Sequence, residues 1–462
     1  MLRINPDIEA SDLREPLNAF WRISAHKLER LEARYDLSHG APVFTERGLY
    51  RSRGWTEWTL GFFFGSMLLQ FDATDDRSFL ERGMRGTVDQ MQNAITHTGV
   101  HDHGFNVVST FGTLYRMGRE ARFPCDSWQG RFCELALRAS AAVQASRWSS
   151  VKEGGFIYSF NGPHSLFADT IRTLRVLALG HRLGHALLSE GDVRISLLER
   201  LVEHALTTIR YNVYFGTGRD AYDVPGRVAH ESLFNIRDGS YRCPSTQQGY
   251  SPRSTWTRGL AWIVLGLAEQ LEFLDELDAE EDGFQARKGA VLDDLLHAAR
   301  ITADYYLESS PTNGIPYWDT GAPGLSSLPN WSEEPADPFN DFEPVDSSAA
   351  TIAAQGLLRL GRFLEERGDP EAGRRYRRAG LTVAAALFDS PYLSREKEHE
   401  GLILHSIYHR PNGWDHIPEG RRIPCGESSM WGDYHARELA LYLQRIDQGQ
   451  NYLCFWGGDR TP

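Results

Sequence analysis

Cysteine is scarce in this sequence of 462 residues. The five cysteines are widely spaced and form no CxxC pair: Cys125, Cys133, Cys243, Cys425 and Cys454. This spacing indicates neither a disulfide framework nor a zinc knuckle. A reducing cytoplasm is therefore the expected location.

Long apolar runs and excess positive charge are also missing. No run of roughly 18 apolar residues occurs, and the N-terminal MLRINPDIEASDLREPL has no apolar signal region. We therefore expect no membrane contact. Lysine and arginine total 49 against 62 aspartates and glutamates, which gives a net charge of -13. Nucleic acid is a poor candidate partner for such a chain.

Several cofactor and nucleophile motifs are absent as well. The sequence contains no P-loop, no GxSxG and no GxGxxG after a strand. His101 and His103 are spaced i, i+2, so they would diverge on a helix, and HExxH is absent. We expect no metal and no cofactor.

Helical periodicity is the dominant pattern that is present. It predicts an all-α chain with twelve helices, at about 9–35, 57–72, 77–98, 104–120, 126–149, 167–189, 192–213, 254–276, 283–308, 346–367, 370–388 and 431–446. No segment is typical of an interdomain linker, so residues 1–462 are predicted to form one domain.

The connectors between these helices differ by parity. Short connectors leave even-numbered helices (73–76, 190–191, 276–282, 367–369), and long ones leave odd-numbered helices (150–166, 214–253, 309–345, 389–430). In an up-and-down array, the long connectors share one end, and long loops in a compact fold are usually functional.

The helices also differ in composition. Even-numbered helices continue with small and apolar residues, and odd-numbered helices are richer in charge. This alternation predicts an (α/α)6 barrel of six inner and six outer helices. The inner N-termini would meet at one mouth, where their partial positive charge favours an anionic ligand.

One run, STQQGYSPRSTWTRGLAW at 245–262, combines indoles with a guanidinium. Trp256 and Trp262 flank Arg258 on the first turns of a predicted helix. A sugar ring that carries a carboxylate would suit this set, because indoles stack on sugar rings and a guanidinium binds carboxylate. The tryptophans fit a core role equally well, with Arg258 as a surface cation.

Four aspartates begin predicted inner helices. Asp102 and Asp169 are candidates for acid–base work on a glycoside, which needs two carboxylates in different environments. Asp346 and Asp433 occupy equivalent positions. Each aspartate taken alone is better explained as an N-cap, so position does not choose among the four.

Ordered motifs give the chain a specific resemblance. They are HDHGF at 101–105, FADTIRTL at 167–174, the 245–262 run, DSSAATIAAQGLLRL at 346–360, YHRPNGWD at 408–415 and WGDY at 431–434. From about Trp55 to Leu443 the sequence resembles the unsaturated glucuronyl hydrolases, glycoside hydrolase family 88. That resemblance implies the same (α/α)6 barrel.

The resemblance also implies a reaction. The substrate is an oligosaccharide with a 4,5-unsaturated uronic acid at its non-reducing end, produced by a polysaccharide lyase. An acid protonates C4, water adds at C5, and the resulting hemiketal opens and releases the aglycone. Asp169 matches the general acid/base, and Asp102 matches the second essential carboxylate.

Binding residues follow from the same resemblance. His230, Gln248 and Arg258 match polar sugar contacts, and Trp58, Trp256 and Trp262 match ring-facing aromatics. The chain departs from the family pattern at Gln247, at Phe160 and in the length of loop 214–253. These differences concern the identity of the substrate more than the type of reaction.

Two other functions remain open at this point. One is another (α/α)6 carbohydrate enzyme, either an inverting glycosidase or an epimerase. His230 with His405 is the only hint of the paired histidines that an epimerase needs. The other is a non-catalytic carbohydrate-binding protein. The sequence leaves the polysaccharide, any sulfation and the choice of monomer or homodimer undecided.

Overall fold

The described residues contain twelve principal helices. The computed structural model describes residues 1–54, 57–277 and 283–457. Ten helices are continuous: α1 (Arg14–Arg34), α2 (Leu60–Thr74), α3 (Arg77–Gln90), α5 (Ser127–Ser146), α7 (Leu197–Asn212), α8 (Thr257–Glu276), α9 (Gln285–Ser309), α10 (Ser347–Glu366), α11 (Pro370–Leu387) and α12 (Met430–Asp447). Two are composite: α4 (His103–Val107, Val108–Gly112 and Thr113–Arg119) and α6 (Thr170–Thr173 and Arg175–Arg182).

The even-numbered helices form the inner ring of an (α/α)6 barrel. Helix α8 packs on α6 and α10, α12 packs on α10 and α2, and α4 closes the ring between α2 and α6. Small residues permit these contacts. A Cβ added at Gly61 of α2 would lie 2.4 Å from the Asn106 carbonyl oxygen, and one at Gly356 would lie 2.7 Å from the Leu265 nitrogen. The predicted fold class is therefore confirmed.

Some predicted boundaries are wrong. The sixth helix, expected over 167–189, ends at Arg182 and is followed by a hairpin of β6 (Ala186–Leu188) and β7 (Arg194–Ser196). Gly184 follows the end of the helix by two residues and Gly191 lies at the hairpin tip, and their positive φ angles of 70° and 67° suit turns. The expected short connector at 190–191 is thus the tip of this hairpin.

The third and fourth helices also differ from the prediction. The third helix, expected over 77–98, ends at Gln90 and is followed by one turn, Gln92–Ile95. The fourth contains a π-helical segment at Val108–Gly112. Residues Trp55 and Thr56, and 278–282 of the expected connector after the eighth helix, lie outside the described residues.

Connectors that follow odd-numbered helices carry short strands that the helical periodicity did not predict. Two hairpins are formed by β1 (Phe44–Glu46) with β2 (Leu49–Arg51) and by β3 (Trp148–Val151) with β4 (Gly154–Ile157). A three-stranded antiparallel sheet joins β5 (Ser165–Phe167), β8 (Glu231–Phe234) and β9 (Tyr241–Ser245).

That three-stranded sheet positions two predicted site residues. Asp169 follows β5 by two residues, and His230 directly precedes β8. The Ala168 N–H donates to the His230 carbonyl oxygen at 2.8 Å, which extends the β5–β8 pairing to the mouth of the barrel. The chain therefore turns from sheet into inner helix α6 at Asp169.

None of the helices among the described residues is both long enough and apolar enough to cross a membrane.

Candidate active site

A cavity of about 430 Å³ opens at the loop-rich mouth of the barrel. The long loops and the N-terminal ends of inner helices form its walls. Of the site residues that the sequence predicted, all except His230 line it: Trp58, Asp102, Asp169, Gln248, Trp256, Arg258 and Trp262. The structure thus brings together residues that lie far apart in the chain.

Asp102 and Asp169 stand at the starts of α4 and of α6, yet neither side chain caps its helix. Both residues line the cavity and retain only 8% and 9% of their exposure. The expected alternative, a capping role for each, is therefore wrong for these two. Their carboxylates are directed to the cavity rather than to backbone N–H groups.

Asp346 and Asp433, by contrast, serve the framework. Asp346 caps α10 by accepting from the Ser348 backbone N–H at 3.1 Å. The N-cap expected at Asp433 is wrong, because Ser429 caps α12 and Asp433 lies within the first turn. Its carboxylate accepts from the backbone N–H groups of Leu402 and Ile403 and from the Tyr50 hydroxyl at 2.8 Å. Neither residue lines the cavity.

His101 lies between the two cavity carboxylates. Its Nε2 is 3.3 Å from Asp169 Oδ1 and 3.7 Å from Asp102 Oδ1. His103 turns away as its spacing predicted, with Nδ1 2.7 Å from the Ser140 hydroxyl. The sequence did not predict His101 as a site residue, because its contact with Asp169 joins residues 68 positions apart.

The two carboxyl groups have opposite pKa shifts. Burial, with the nearby charge of Asp169, raises the pKa of Asp102 above its usual value, although His101 opposes this. Burial also acts to raise the pKa of Asp169, but the hydrogen bond and charge of His101, with His230 and Arg258, lower it overall. Differing carboxyl environments are typical of acid–base sites.

His230 lies behind the cavity wall rather than on it. Its Nδ1 accepts from the Gln247 backbone N–H at 3.1 Å, and its ring packs between Phe167 and Trp256. Burial lowers its pKa to about 4, so the imidazole is neutral and its proton sits on Nε2. Nε2 has no partner among the described residues, which leaves a donor beside the site.

Arg258 is engaged by the protein itself. Its terminal nitrogens donate to Asp346 Oδ2 at 3.0 Å, to Gln248 Oε1 at 2.8 Å, and to the carbonyl oxygens of Tyr408 at 2.8 Å and of Ile407. The expected surface cation is wrong, because Arg258 is only 1% exposed. It fixes the Gln248 carboxamide and ties helix α8 to the 389–430 loop.

Aromatic side chains form much of the wall. Trp58 stacks on Trp431 with ring centroids 5.2 Å apart, and Trp262 packs against Phe105 at 4.8 Å. Trp256 and Trp262 are only 4% and 2% exposed. Their core role is therefore confirmed, and because both also border the cavity, their stacking on a sugar ring stays a prediction.

Other lining residues were not selected from the sequence. They are Glu57, His97, Gly99, Val100, His101, Phe105, Phe160, Gln247, Tyr408, His409 and Trp414. The 408–415 motif contains Tyr408, His409 and Trp414, so it held a usable signal. His405 accepts from the Gly426 N–H and packs against Phe339, outside the cavity lining. The pair of His230 and His405, which was the hint of an epimerase, therefore does not form at this cavity.

Fold and site together define a class. The barrel has alternating inner and outer helices. At its mouth lie an aromatic wall and two carboxylates that cap no helix. These features define a carbohydrate-active (α/α)6 barrel.

Comparison with known proteins refines this class. No protein-family model matches the chain. An unsaturated glucuronyl hydrolase of Bacillus sp. strain GL1 is 28% identical over 405 residues, covering 86% of this chain and 89% of that protein. Another, of Formosa agariphila, is 24% identical over 404 residues, covering 86% and 81%.

A solved structure shows the same fold. The unsaturated glucuronyl hydrolase from Bacillus sp. GL1, responsible for the degradation of glycosaminoglycan, superposes with a TM-score of 0.69 at 23% identity, covering 96% of this chain and 98% of that one. The chain is thus related to the unsaturated glucuronyl hydrolases of glycoside hydrolase family 88, as its motifs predicted.

Proposed function

We propose that the protein releases a 4,5-unsaturated uronic acid from the non-reducing end of lyase-generated oligosaccharides. The names of its relatives support this activity. One observation at the site carries it: Asp102 and Asp169 converge on a shared imidazole across a cavity walled by indoles.

The chemistry is hydration of the C4=C5 bond, which is part of a vinyl ether. Asp169 donates a proton to C4, and positive charge develops at C5 and on the ring oxygen. Water attacks C5 and returns a proton to Asp169, so one carboxyl serves as acid and then as base. The hemiketal opens and the aglycone leaves.

A donor carboxyl must be protonated when it reacts, and the free site does not favour this for Asp169. Its pKa is lowered in the free protein, chiefly because His101 opposes the effect of burial. A bound uronate adds a negative charge close by, which raises the pKa of neighbouring carboxyl groups. Substrate binding therefore promotes protonation of the acid that the reaction needs.

The remaining residues bind and orient the ring. Trp58, Trp256 and Trp262 offer apolar surfaces for its C–H bonds. The Gln248 oxygen faces Arg258, so its amide nitrogen lies on the opposite side and can donate to the substrate. The buried charge of Arg258 attracts the uronate without a direct contact, because the protein already occupies its terminal nitrogens.

His230 completes the polar set. With Nδ1 accepting from the Gln247 backbone N–H, Nε2–H is left as a donor behind the cavity wall, and His230 lies close enough to Asp169 to act on the pKa of that carboxyl.

The test is direct. Unsaturated disaccharides derived from glycosaminoglycans, ulvan, gellan and alginate are incubated with the protein, and the ultraviolet absorbance of the conjugated double bond is followed. Absorbance should fall with at least one of them, while matched saturated disaccharides remain intact. Cleavage of saturated disaccharides alone would favour an inverting glycosidase, and binding without turnover would favour a carbohydrate-binding protein.

Three further proposals are less specific. All 462 residues act as one catalytic domain, because the inner helices share one ring and one mouth. A cytoplasmic location fits the five cysteines, each of which is free. The protein acts on its oligosaccharide as a monomer or a homodimer.

A further inference from the structure

We propose that His101 is a positioning residue that holds a proton between Asp102 and Asp169 at neutral pH and passes it to Asp169 when an anionic substrate enters. This inference rests on the proposed function and specifies how its acid is supplied. His101 is not among the residues that the sequence selected for the site.

The geometry places one ring nitrogen between two acceptors. Nε2 of His101 is 3.3 Å from one carboxylate oxygen and 3.7 Å from the other. The ring is 1% exposed, stacks on Phe160 at an interplanar angle of 23°, and meets the edge of Phe167. A ring fixed in this way cannot turn its nitrogen away from the carboxylates.

The surrounding charges favour a proton at this position. Burial alone would lower the pKa of His101, but the charges of Asp102 and Asp169 and the hydrogen bond to Asp169 raise it. Arg147 opposes this rise. His97 acts on Asp102, and His230 and Arg258 act on Asp169.

Two nearby histidines behave differently, which makes His101 distinctive. Burial lowers the pKa of His204 to about 3 and that of His230 to about 4, so both are neutral at pH 7. Each lies close enough to His101 for the charge of that ring to lower its pKa further. Neither has two carboxylates beside one nitrogen, so the proton of this group of imidazoles resides on His101.

The proton transfers balance over one turnover. The N–H bond at Nε2 breaks as an O–H bond forms on Asp169, and that O–H bond breaks as C4 gains hydrogen. Water adds to C5 and its spare proton goes to Asp169, and then back to Nε2. Asp102 stays beside the imidazole throughout and stabilises its charge.

The first test is independent of activity. Protein labelled with ¹⁵N-histidine has 16 histidines, and the His101 signals are assigned from their loss in His101→Gln or in His101→Asn. At pH 7 both ring nitrogens of His101 in the free protein should be protonated. A neutral His101 ring at pH 7 would overturn the inference.

The second test separates proton supply from shape. Glutamine retains a donor near the Nε2 position but carries no titrating charge. His101→Gln should lower kcat about 100-fold, change KM less than about threefold, and move the alkaline limb of the kcat profile to lower pH, because only carboxyl groups then hold the proton. Retention of the wild-type kcat and pH profile would overturn the inference.

His103→Gln is the matched control. His103 is as buried as His101, but it contacts Ser140 and the His97 carbonyl oxygen instead of the carboxylates. This variant should keep the wild-type pH profile. If wild-type protein consumed no unsaturated disaccharide, the proposed function would fail, whereas an active wild type with a neutral His101 would refute this inference alone.

Discussion

Two pairs of aspartates lie at the N-cap or in the first turn of inner helices of the same barrel, and they have different roles. Asp346 and Asp433 accept hydrogen bonds from backbone N–H groups and from side chains of the framework. Asp102 and Asp169 cap nothing and face a cavity instead. An aspartate near a helix N-terminus has a structural role where the protein satisfies its hydrogen-bond acceptors. It is available to react with a ligand where those acceptors lack protein donors.

The comparison also explains why burial has different consequences in the two pairs. Asp433 is buried, but four donors from Tyr50, Leu402, Ile403 and Ser428 satisfy its carboxylate. Asp102 and Asp169 are buried with His101 as their shared partner. Ionised carboxylates with so few donors are costly to bury, so their protonation states respond to a bound charge.

Replacing the proposed acid/base should have the largest effect. Asp169→Asn removes the proton donor but keeps the shape, so kcat on an unsaturated disaccharide should fall at least about 1,000-fold, equivalent to roughly 4 kcal/mol of transition-state free energy. The melting temperature should change little. The measurements are absorbance kinetics and thermal unfolding.

Asp126→Asn is a suitable control for that variant. Asp126 caps the outer helix α5 through the Trp128 and Gln129 backbone N–H groups, and asparagine caps equally well. Wild-type activity should remain. A fully active Asp169→Asn protein would show that Asp169 is not the acid/base, so that Asp102 and Asp169 would not differ in role from Asp346 and Asp433.

The next effect in size concerns stability rather than rate. Asp433→Asn places an amide N–H₂ among donors, so the free energy of unfolding should fall by about 3 kcal/mol. The midpoint of urea unfolding measures this change. Activity per folded molecule should persist, and an Asp433→Asn protein of normal stability without activity would contradict the division between the pairs.

Loss of the Asp102 carboxylate should have a slightly smaller free-energy effect than the Asp433→Asn substitution. Asp102→Asn removes the negative charge beside His101 that raises the pKa of that imidazole. A fall in kcat of about 100-fold, or roughly 2.7 kcal/mol, is expected. Steady-state kinetics across pH should also show the alkaline limb moving to lower pH, because His101 then loses its proton more readily. An unchanged alkaline limb would show that Asp102 does not help His101 to hold its proton.

The smallest effect should come from the aromatic wall. Trp58→Ala removes a partly exposed indole, so KM should rise about tenfold, or roughly 1.4 kcal/mol, with less change in kcat. Trp128→Ala, at a tryptophan that is 75% exposed on outer helix α5, is the matched control and should leave KM unaltered. Equal effects of the two substitutions would remove Trp58 from the site.

Sequence alone predicted the ring of helices, because small residues on inner helices alternate with charged residues on outer helices along the chain. It could not separate Asp102 and Asp169 from Asp346 and Asp433, because a cap depends on local side-chain rotation that periodicity does not encode. The motif resemblance supplied that choice.

Contacts between distant segments were beyond the reach of the sequence. Arg258 looked like an available cation, but its four protein acceptors come from residues up to 150 positions away. The strands in the long loops were missed for a similar reason, since β5 pairs with β8 across more than sixty residues. His101 was overlooked because its significance depends on Asp169, which lies 68 residues further along.

The most direct measurement is a crystal structure of Asp169→Asn with a bound unsaturated disaccharide that the wild-type protein consumes. The account predicts that C4 of the unsaturated ring lies within about 3.5 Å of the residue 169 side chain. The ring should lie against the indole wall, and Asp346 and Asp433 should not contact it. A ring whose C4=C5 bond is remote from both Asp102 and residue 169 would contradict the central claim.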